Sequence, residues 1–112
     1  MPAKKKDKQP DLKARPSLTP DRSEQYPFTP GSVVRSVAGR DSGKLFIVLW
    51  LYDDEYFAVV DGRVHKLAEP KRKKGKHLRM VRDAEPRVLE LMRSDMLNDS
   101  AARKIVKEIE KT

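Results

Sequence analysis

The sequence contains no cysteine, which excludes disulfide bonds and thiolate metal sites. Aromatic residues make up only 6% of the 112 residues. The longest apolar run covers residues 45–51, far short of the ~20 residues that a membrane-spanning helix needs. The lysines near the N-terminus have no apolar stretch behind them, so we expect no secretory signal. These absences together predict a cytoplasmic protein with no membrane partner.

Acidic residues are fewer than basic residues. Lys and Arg number 25 against 17 Asp and Glu, which gives a formal net charge of +8. Such an excess is typical of proteins that bind polyanions, nucleic acid first and an anionic membrane surface second. Residues 1–30 hold seven basic and four acidic residues, residues 31–82 hold twelve and six, and residues 83–112 hold six and seven. We therefore expect the first two segments to bind the polyanion.

The first segment, residues 1–30, carries six of the eight prolines. It also carries the lysine run Lys4–Lys6 and few large apolar residues that could offset the entropy of the chain. We predict a basic arm that is disordered through about residue 24. Such an arm either finds RNA or only keeps the protein soluble.

The second segment, residues 31–82, shows short apolar runs separated by turn residues. The runs predict strands over residues 31–38, 45–52, 56–60 and 63–67. Asp61-Gly62 lies between the last two, and such a pair predicts a tight hairpin turn. Short strands at this spacing, without helices between them, favour a small β-barrel.

The third segment, residues 83–112, predicts two helices. Pro86 is a favourable first-turn residue, and apolar residues follow it at helical spacing. Asn98, Asp99 and Ser100 offer N-caps for a second helix, on which Ile105 and Ile109 lie one turn apart. Because its charges balance, this segment is predicted to pack on the barrel or to contact a partner, and not to bind RNA.

A glycine loop, Gly39-Arg-Asp-Ser-Gly-Lys44, separates the first two predicted strands. Glycines allow a backbone to approach a phosphate closely and to expose its N–H groups, and Arg40 and Lys44 add positive charge. A nucleotide-binding P-loop is excluded because it needs four residues between its glycines and a helix after its lysine. The alternative is a plain hairpin loop.

A basic run covers residues 70–79, where six of ten residues are cationic and no carboxylate intervenes. Crowding like charges costs stability, and a solvated surface normally mixes signs. The run therefore indicates contacts with phosphates, with a purely solubilising surface as the alternative.

Four features in order resemble a KOW motif. They are Ala38 to Gly43 after a valine-rich strand, the apolar run 45–51, the pair Asp61-Gly62, and Lys76-His77-Leu78 after the basic run. Their order resembles the branch that contains archaeal and eukaryotic large-subunit ribosomal protein fourteen. The resemblance covers residues 31 to about 81. It implies a small barrel of the Src-homology-three type that binds ribosomal RNA through its loops.

The sequence thus predicts a mainly β protein with a KOW barrel at 31–82, an arm at 1–30 and a helical appendage at 83–112. We expect a monomeric, non-enzymatic protein that needs no cofactor. Its expected ligand is structured RNA, ribosomal RNA above all. The protein would belong to the ribosome or associate with it, and ribosomal proteins are possible partners. The alternatives are a transcription-elongation adaptor and a protein–protein adaptor that uses the C-terminal helices. The predicted RNA-binding residues are Gly39, Arg40, Gly43, Lys44, Arg63, Lys66, Lys71, Arg72, Lys73, Lys74, Lys76, His77 and Arg79.

Several residues invite a second interpretation. His65 and His77 are the only histidines, and without cysteine they make a poor metal site. The acidic residues at 53–55 predict a solvated turn. Trp50 could stack on a base but lies within the apolar run, so we expect it in the core. Tyr52, Tyr56 and Phe57 could take either role.

Overall fold

The computed structural model describes residues 25–111, so residues 1–24 of the predicted arm, the part expected to be disordered, lie outside the described residues. Residues 25–30 pack on the sheet, where Phe28 is buried and its ring lies 5.3 Å from that of Phe57. The elements, in chain order, are β1 (Val33–Ser36), β2 (Leu45–Leu51), β3 (Tyr56–Val60), β4 (Lys71–Lys74), a 3-10 turn (Gly75–His77), β5 (Leu78–Arg82), α1 (Pro86–Arg93) and α2 (Asp99–Glu110).

The five strands form one antiparallel sheet in the order β4-β3-β2-β1-β5. Lys73 Nζ on edge strand β4 donates a hydrogen bond to Ala38 O, just beyond β1, over 3.4 Å. Because two strands separate β4 from β1, this contact requires a curled sheet. Within the described residues, however, no backbone pairing joins β4 to β5. The mainly β prediction is confirmed, and the sheet is open.

Strand β2 is buried along its whole length, as its continuous apolar sequence predicts. Leu45 and Ile47 face one core with the helices, whereas Phe46 and Val48 face a second core on the opposite side of the sheet. A register shift between Val48 and Trp50 then interrupts the alternation. As a result Trp50 lies in the helix-side core, where it is 2% exposed, which confirms its predicted core position.

Both C-terminal helices form where they are predicted. Asn98 caps α2, since its side-chain oxygen accepts a hydrogen bond from Ala101 N over 2.8 Å. Ile105 and Ile109 join the same core as β2, so the helices complete the core of the sheet. Neither helix within residues 25–111 has the length and apolarity needed to cross a membrane.

Glu85 joins β5 to α1. It is buried, and its carboxylate contacts Arg82 at 3.5 Å and Arg87 at 3.1 Å. Burial alone would raise the pKa of Glu85, but hydrogen bonds from the Arg87 backbone and side chain, with the charges of Arg87 and Arg82, lower it below its ordinary value. The carboxylate therefore stabilises the fold above its unfolded-chain pKa, and this stabilisation is lost as the pH falls through the folded-state pKa.

The strand predicted over residues 63–67 is wrong. Residues 61–70 form a loop, and the strand that pairs with β3 is β4. The Asp61 carboxylate accepts hydrogen bonds from the backbone N–H groups of Arg63 and His65, both at 2.9 Å, which folds the chain into a local turn and not into a ladder. Both strands of the basic region, β4 and β5, were missed from the sequence.

Candidate nucleic-acid interface

The loop over residues 39–44 joins β1 to β2 and is open to solvent. Gly39 and Gly43 both have positive φ, +79° and +90°, and a Cβ on either would meet no atom within 4 Å. The Gly43 N–H donates to Ser36 O over 2.7 Å, and the Gly43 carbonyl accepts from Arg35 Nη1 over 2.8 Å. The Gly43 N–H is thus used within the hairpin, and the contact of Gly43 with RNA stays a prediction. Arg40 and Lys44 are exposed.

Asp41, in the same loop, is the point where the basic segments meet. Its carboxylate is nearly buried and lies 3.8 Å from His65 Nε2. It also lies 3.9 Å from both Lys71 Nζ and Lys73 Nζ. One carboxylate therefore joins the loop 39–44, the loop 61–70 and β4. Sequence reasoning missed this role because the three partners lie 24 to 32 positions away along the chain.

Alternation along β4 divides the basic run into two sets. Lys71 and Lys73 turn toward Asp41, and Lys73 is only 8% exposed, so it is a structural residue. Lys73 thus differs from the exposed cations of the run, and its contact with phosphate stays a prediction. Arg72 and Lys74 point to the opposite face of the strand.

On that opposite face, Arg72 lies over two tyrosine rings. Its guanidinium carbon is 5.0 Å from the ring centre of Tyr52 and 4.6 Å from that of Tyr56. Lys74 Nζ lies 5.7 Å from the Tyr56 ring centre. Both tyrosines are partly exposed, whereas Phe57 is fully buried in the core. The exposed Arg72 thus presents a planar cation on an aromatic support.

The end of the basic run lies beside the first loop. The His77 carbonyl accepts a hydrogen bond from Val37 N over 2.9 Å, which holds the 3-10 turn next to the end of β1. Lys76 and Arg79 are exposed there, and His77 is partly exposed. The turn requires Gly75, because a Cβ at this position would lie 2.5 Å from the Tyr26 ring.

The loop over residues 61–70 carries Arg63 and Lys66, both exposed. It is packed against α2 at Gly62, whose φ is +78° and whose added Cβ would lie 2.3 Å from Asp99 O. Arg103 Nη1 donates to Gly62 O over 3.3 Å. The loop is therefore fixed by α2.

Seven of the predicted RNA-binding cations are exposed, and none of these seven forms an ion pair within residues 25–111. They are Arg40, Lys44, Arg63, Lys66, Arg72, Lys76 and Arg79. The carboxylate at the centre, Asp41, is instead engaged with the more enclosed Lys71 and Lys73. The outer surface thus keeps its positive charge.

No protein-family model matches the sequence, and no curated protein matches it.

Proposed function

We propose that this protein binds structured RNA without catalysis, as a ribosomal or ribosome-associated protein of the cytoplasm. The observation that carries the proposal is the set of seven exposed, unpaired cations around the Asp41 junction. Uncompensated positive charge costs a folded protein stability through repulsion, and a polyanion removes that cost. In this proposal the protein acts as a monomer and needs no cofactor.

The chemistry of the surface favours RNA backbone contacts. Arg and Lys neutralise phosphates and release their counterions, which supplies affinity without sequence information. A-form RNA is recognised mainly by shape and through its phosphates and 2′-hydroxyls. Arg72 adds a planar cation that can stack on an unpaired base, as guanidinium groups do in RNA complexes. The surface therefore suits a folded RNA with a duplex stem and an exposed loop.

We also assign the sheet to the KOW type of small barrel and its RNA to the ribosome. The supports are the glycine loop between β1 and β2, the curl of the sheet, and the ordered resemblance over residues 31–81. Of the motif's four features, Asp61-Gly62 serves here as a turn that packs on α2 and not as a hairpin end.

A salt titration of RNA binding tests the proposal. The variant carries Arg40→Ser and Lys44→Ser in the glycine loop, and its matched control carries Arg93→Ser and Lys111→Ser, which remove the same charge from exposed positions at the C-terminal ends of α1 and α2. Each lost phosphate contact should flatten the log–log salt dependence by roughly 0.7 to 0.9. We expect the loop variant to bind a ribosomal RNA hairpin more weakly and with a flatter slope than the control. Equal affinity and slope for the two variants would contradict the proposal.

A further inference from the structure

A cleft of about 720 Å³ is lined by residues of α2 and of the two glycine-containing loops, 39–44 and 61–70. Lys44 and Arg63 line one wall, and Arg103, Lys104 and Lys107 of α2 line the other. Five cations from three segments of the chain thus surround one open space. The nearly balanced charge of residues 83–112 gave no sign of this cluster of cations in the sequence, because most acidic residues of that segment lie away from the cleft.

Two carboxylates line the cleft against its five cations, so a net positive charge remains. Asp61 is buried, and its carboxylate accepts two backbone hydrogen bonds within its own loop. Glu108, one helical turn after Lys104, bonds instead to the Arg87 side chain of α1. Glu110 is the one exposed carboxylate among the lining residues.

Two like charges line the cleft from neighbouring turns of α2. Arg103 and Lys107 are four residues apart, and like charges at this spacing destabilise a helix. Meanwhile the position of α2 is fixed against the second loop, because Leu67 N donates to Asp99 Oδ1 over 2.7 Å and Arg103 donates to Gly62 O. A fixed cleft lined by repelling cations is suited to bind phosphate groups.

We propose that this cleft binds backbone phosphates of the RNA, so that α2 and the glycine loop hold the same RNA strand from two sides. The inference rests on the proposed RNA-binding function and adds Arg103, Lys104 and Lys107 to the interface. Val64, 70% exposed at the cleft, offers an apolar contact for a ribose. In this account α2 is an RNA-binding element as well as part of the core.

Single charge changes on the helices test the inference. The variants are Lys107→Glu and Glu110→Lys in the cleft, with Arg93→Glu as the control, because it changes the net charge as Lys107→Glu does but lies on exposed α1 surface. Arg103 is left intact because it also bonds to the second loop. Circular dichroism establishes that each variant is folded, and binding to an RNA hairpin is measured over a range of salt concentrations.

We expect Lys107→Glu to weaken binding at 0.1 M salt by roughly five- to eightfold beyond the control, with a slope flatter by about 0.7 to 0.9. Glu110→Lys should bind more tightly than the parent. In one outcome the parent binds RNA, and the variant with Arg40→Ser and Lys44→Ser binds it more weakly, while Lys107→Glu and Arg93→Glu have the same affinity and salt slope. That result overturns this inference and leaves the proposed function standing. If the parent binds no RNA, both fail. Binding of polyglutamate is measured for the same variants. If Lys107→Glu weakens the binding of polyglutamate but leaves RNA affinity unchanged, the cleft binds an acidic protein and the inference is overturned.

Discussion

The two glycine-containing loops, residues 39–44 and 61–70, resemble each other in sequence but differ in what surrounds them. Each carries glycine at positive φ together with exposed cations. Around Gly43 a side chain would meet open space, whereas at Gly62 it would collide with the backbone of α2. Asp41 joins the first loop to β4, and Asp61 folds the second loop on itself. Glycine in the first loop thus satisfies the backbone conformation alone, and glycine in the second also permits the contact with α2.

Gly62→Ala should have the largest effect on stability. Its Cβ would lie 2.3 Å from Asp99 O and 2.7 Å from Arg103 N, so α2 must move away from the loop. This clash adds to the backbone strain of a non-glycine residue at positive φ. We therefore expect a loss of about 3 kcal/mol or more in the free energy of unfolding. Urea denaturation measures it. A loss no greater than that of the equivalent change at Gly43 would show that the contact with α2 is not needed.

Asp41→Ala should have the second largest effect. It leaves the buried ammonium of Lys73 with Ala38 O as its hydrogen-bond acceptor. Removal of one partner from a buried ion pair is strongly destabilising, and we expect about 2–4 kcal/mol from the same denaturation measurement.

A double variant provides the control for this change. Adding Lys73→Met to Asp41→Ala removes the unpaired charge, so much of the lost stability should return. Additive losses from the two substitutions would indicate that Asp41 and Lys73 contribute independently and that Asp41 does not join the two segments.

Gly43→Ala should have a smaller effect. Because a Cβ meets no atom within 4 Å, the cost is the backbone strain at φ +90° alone, roughly 1–2 kcal/mol. Thermal unfolding measures the change. A loss as large as that of Gly62→Ala would mean that the first loop is packed as tightly as the second.

Arg40→Ser should have the smallest effect on stability, within about 0.5 kcal/mol, because the side chain is exposed and has no ion pair within residues 25–111. RNA affinity should nevertheless fall, since a phosphate contact is lost. Parallel denaturation and RNA-binding measurements separate the two effects. A variant that loses stability but keeps its affinity would reverse the roles assigned to the loop.

The sequence predicts those parts of the fold whose signals are local. The apolar run of β2, the glycine loop before it, Pro86 at the start of α1 and the Asn98 cap all act within a few residues, and each lies where it is predicted. Strand β4 escaped detection because all four of its residues are cationic, so no hydrophobic alternation reveals which side chains turn inward.

In the candidate site, too, the features that depend on local sequence are predictable and those that depend on distant contacts are not. The exposure of Arg40, Lys44 and three of the six cations of the basic run follows from charge alone. The burial of Lys73 depends on Asp41, which lies 32 positions earlier, and the cleft at Lys107 depends on how α2 packs on Gly62. Contacts between distant segments have no signature in a single sequence. The Asp61-Gly62 pair led to the wrong prediction of a hairpin, because this pair instead forms a turn that packs against α2.

Backbone amide chemical shifts during titration with a ribosomal RNA hairpin test the central claim most directly. The full chain is observed by NMR spectroscopy, so every segment is measured under one condition. We predict saturable shift changes that are largest in residues 39–44, 63–66 and 72–79, with smaller changes in α1. Changes confined to α1, or no saturable change at any amide, would contradict the claim that the exposed cations around Asp41 form an RNA-binding surface.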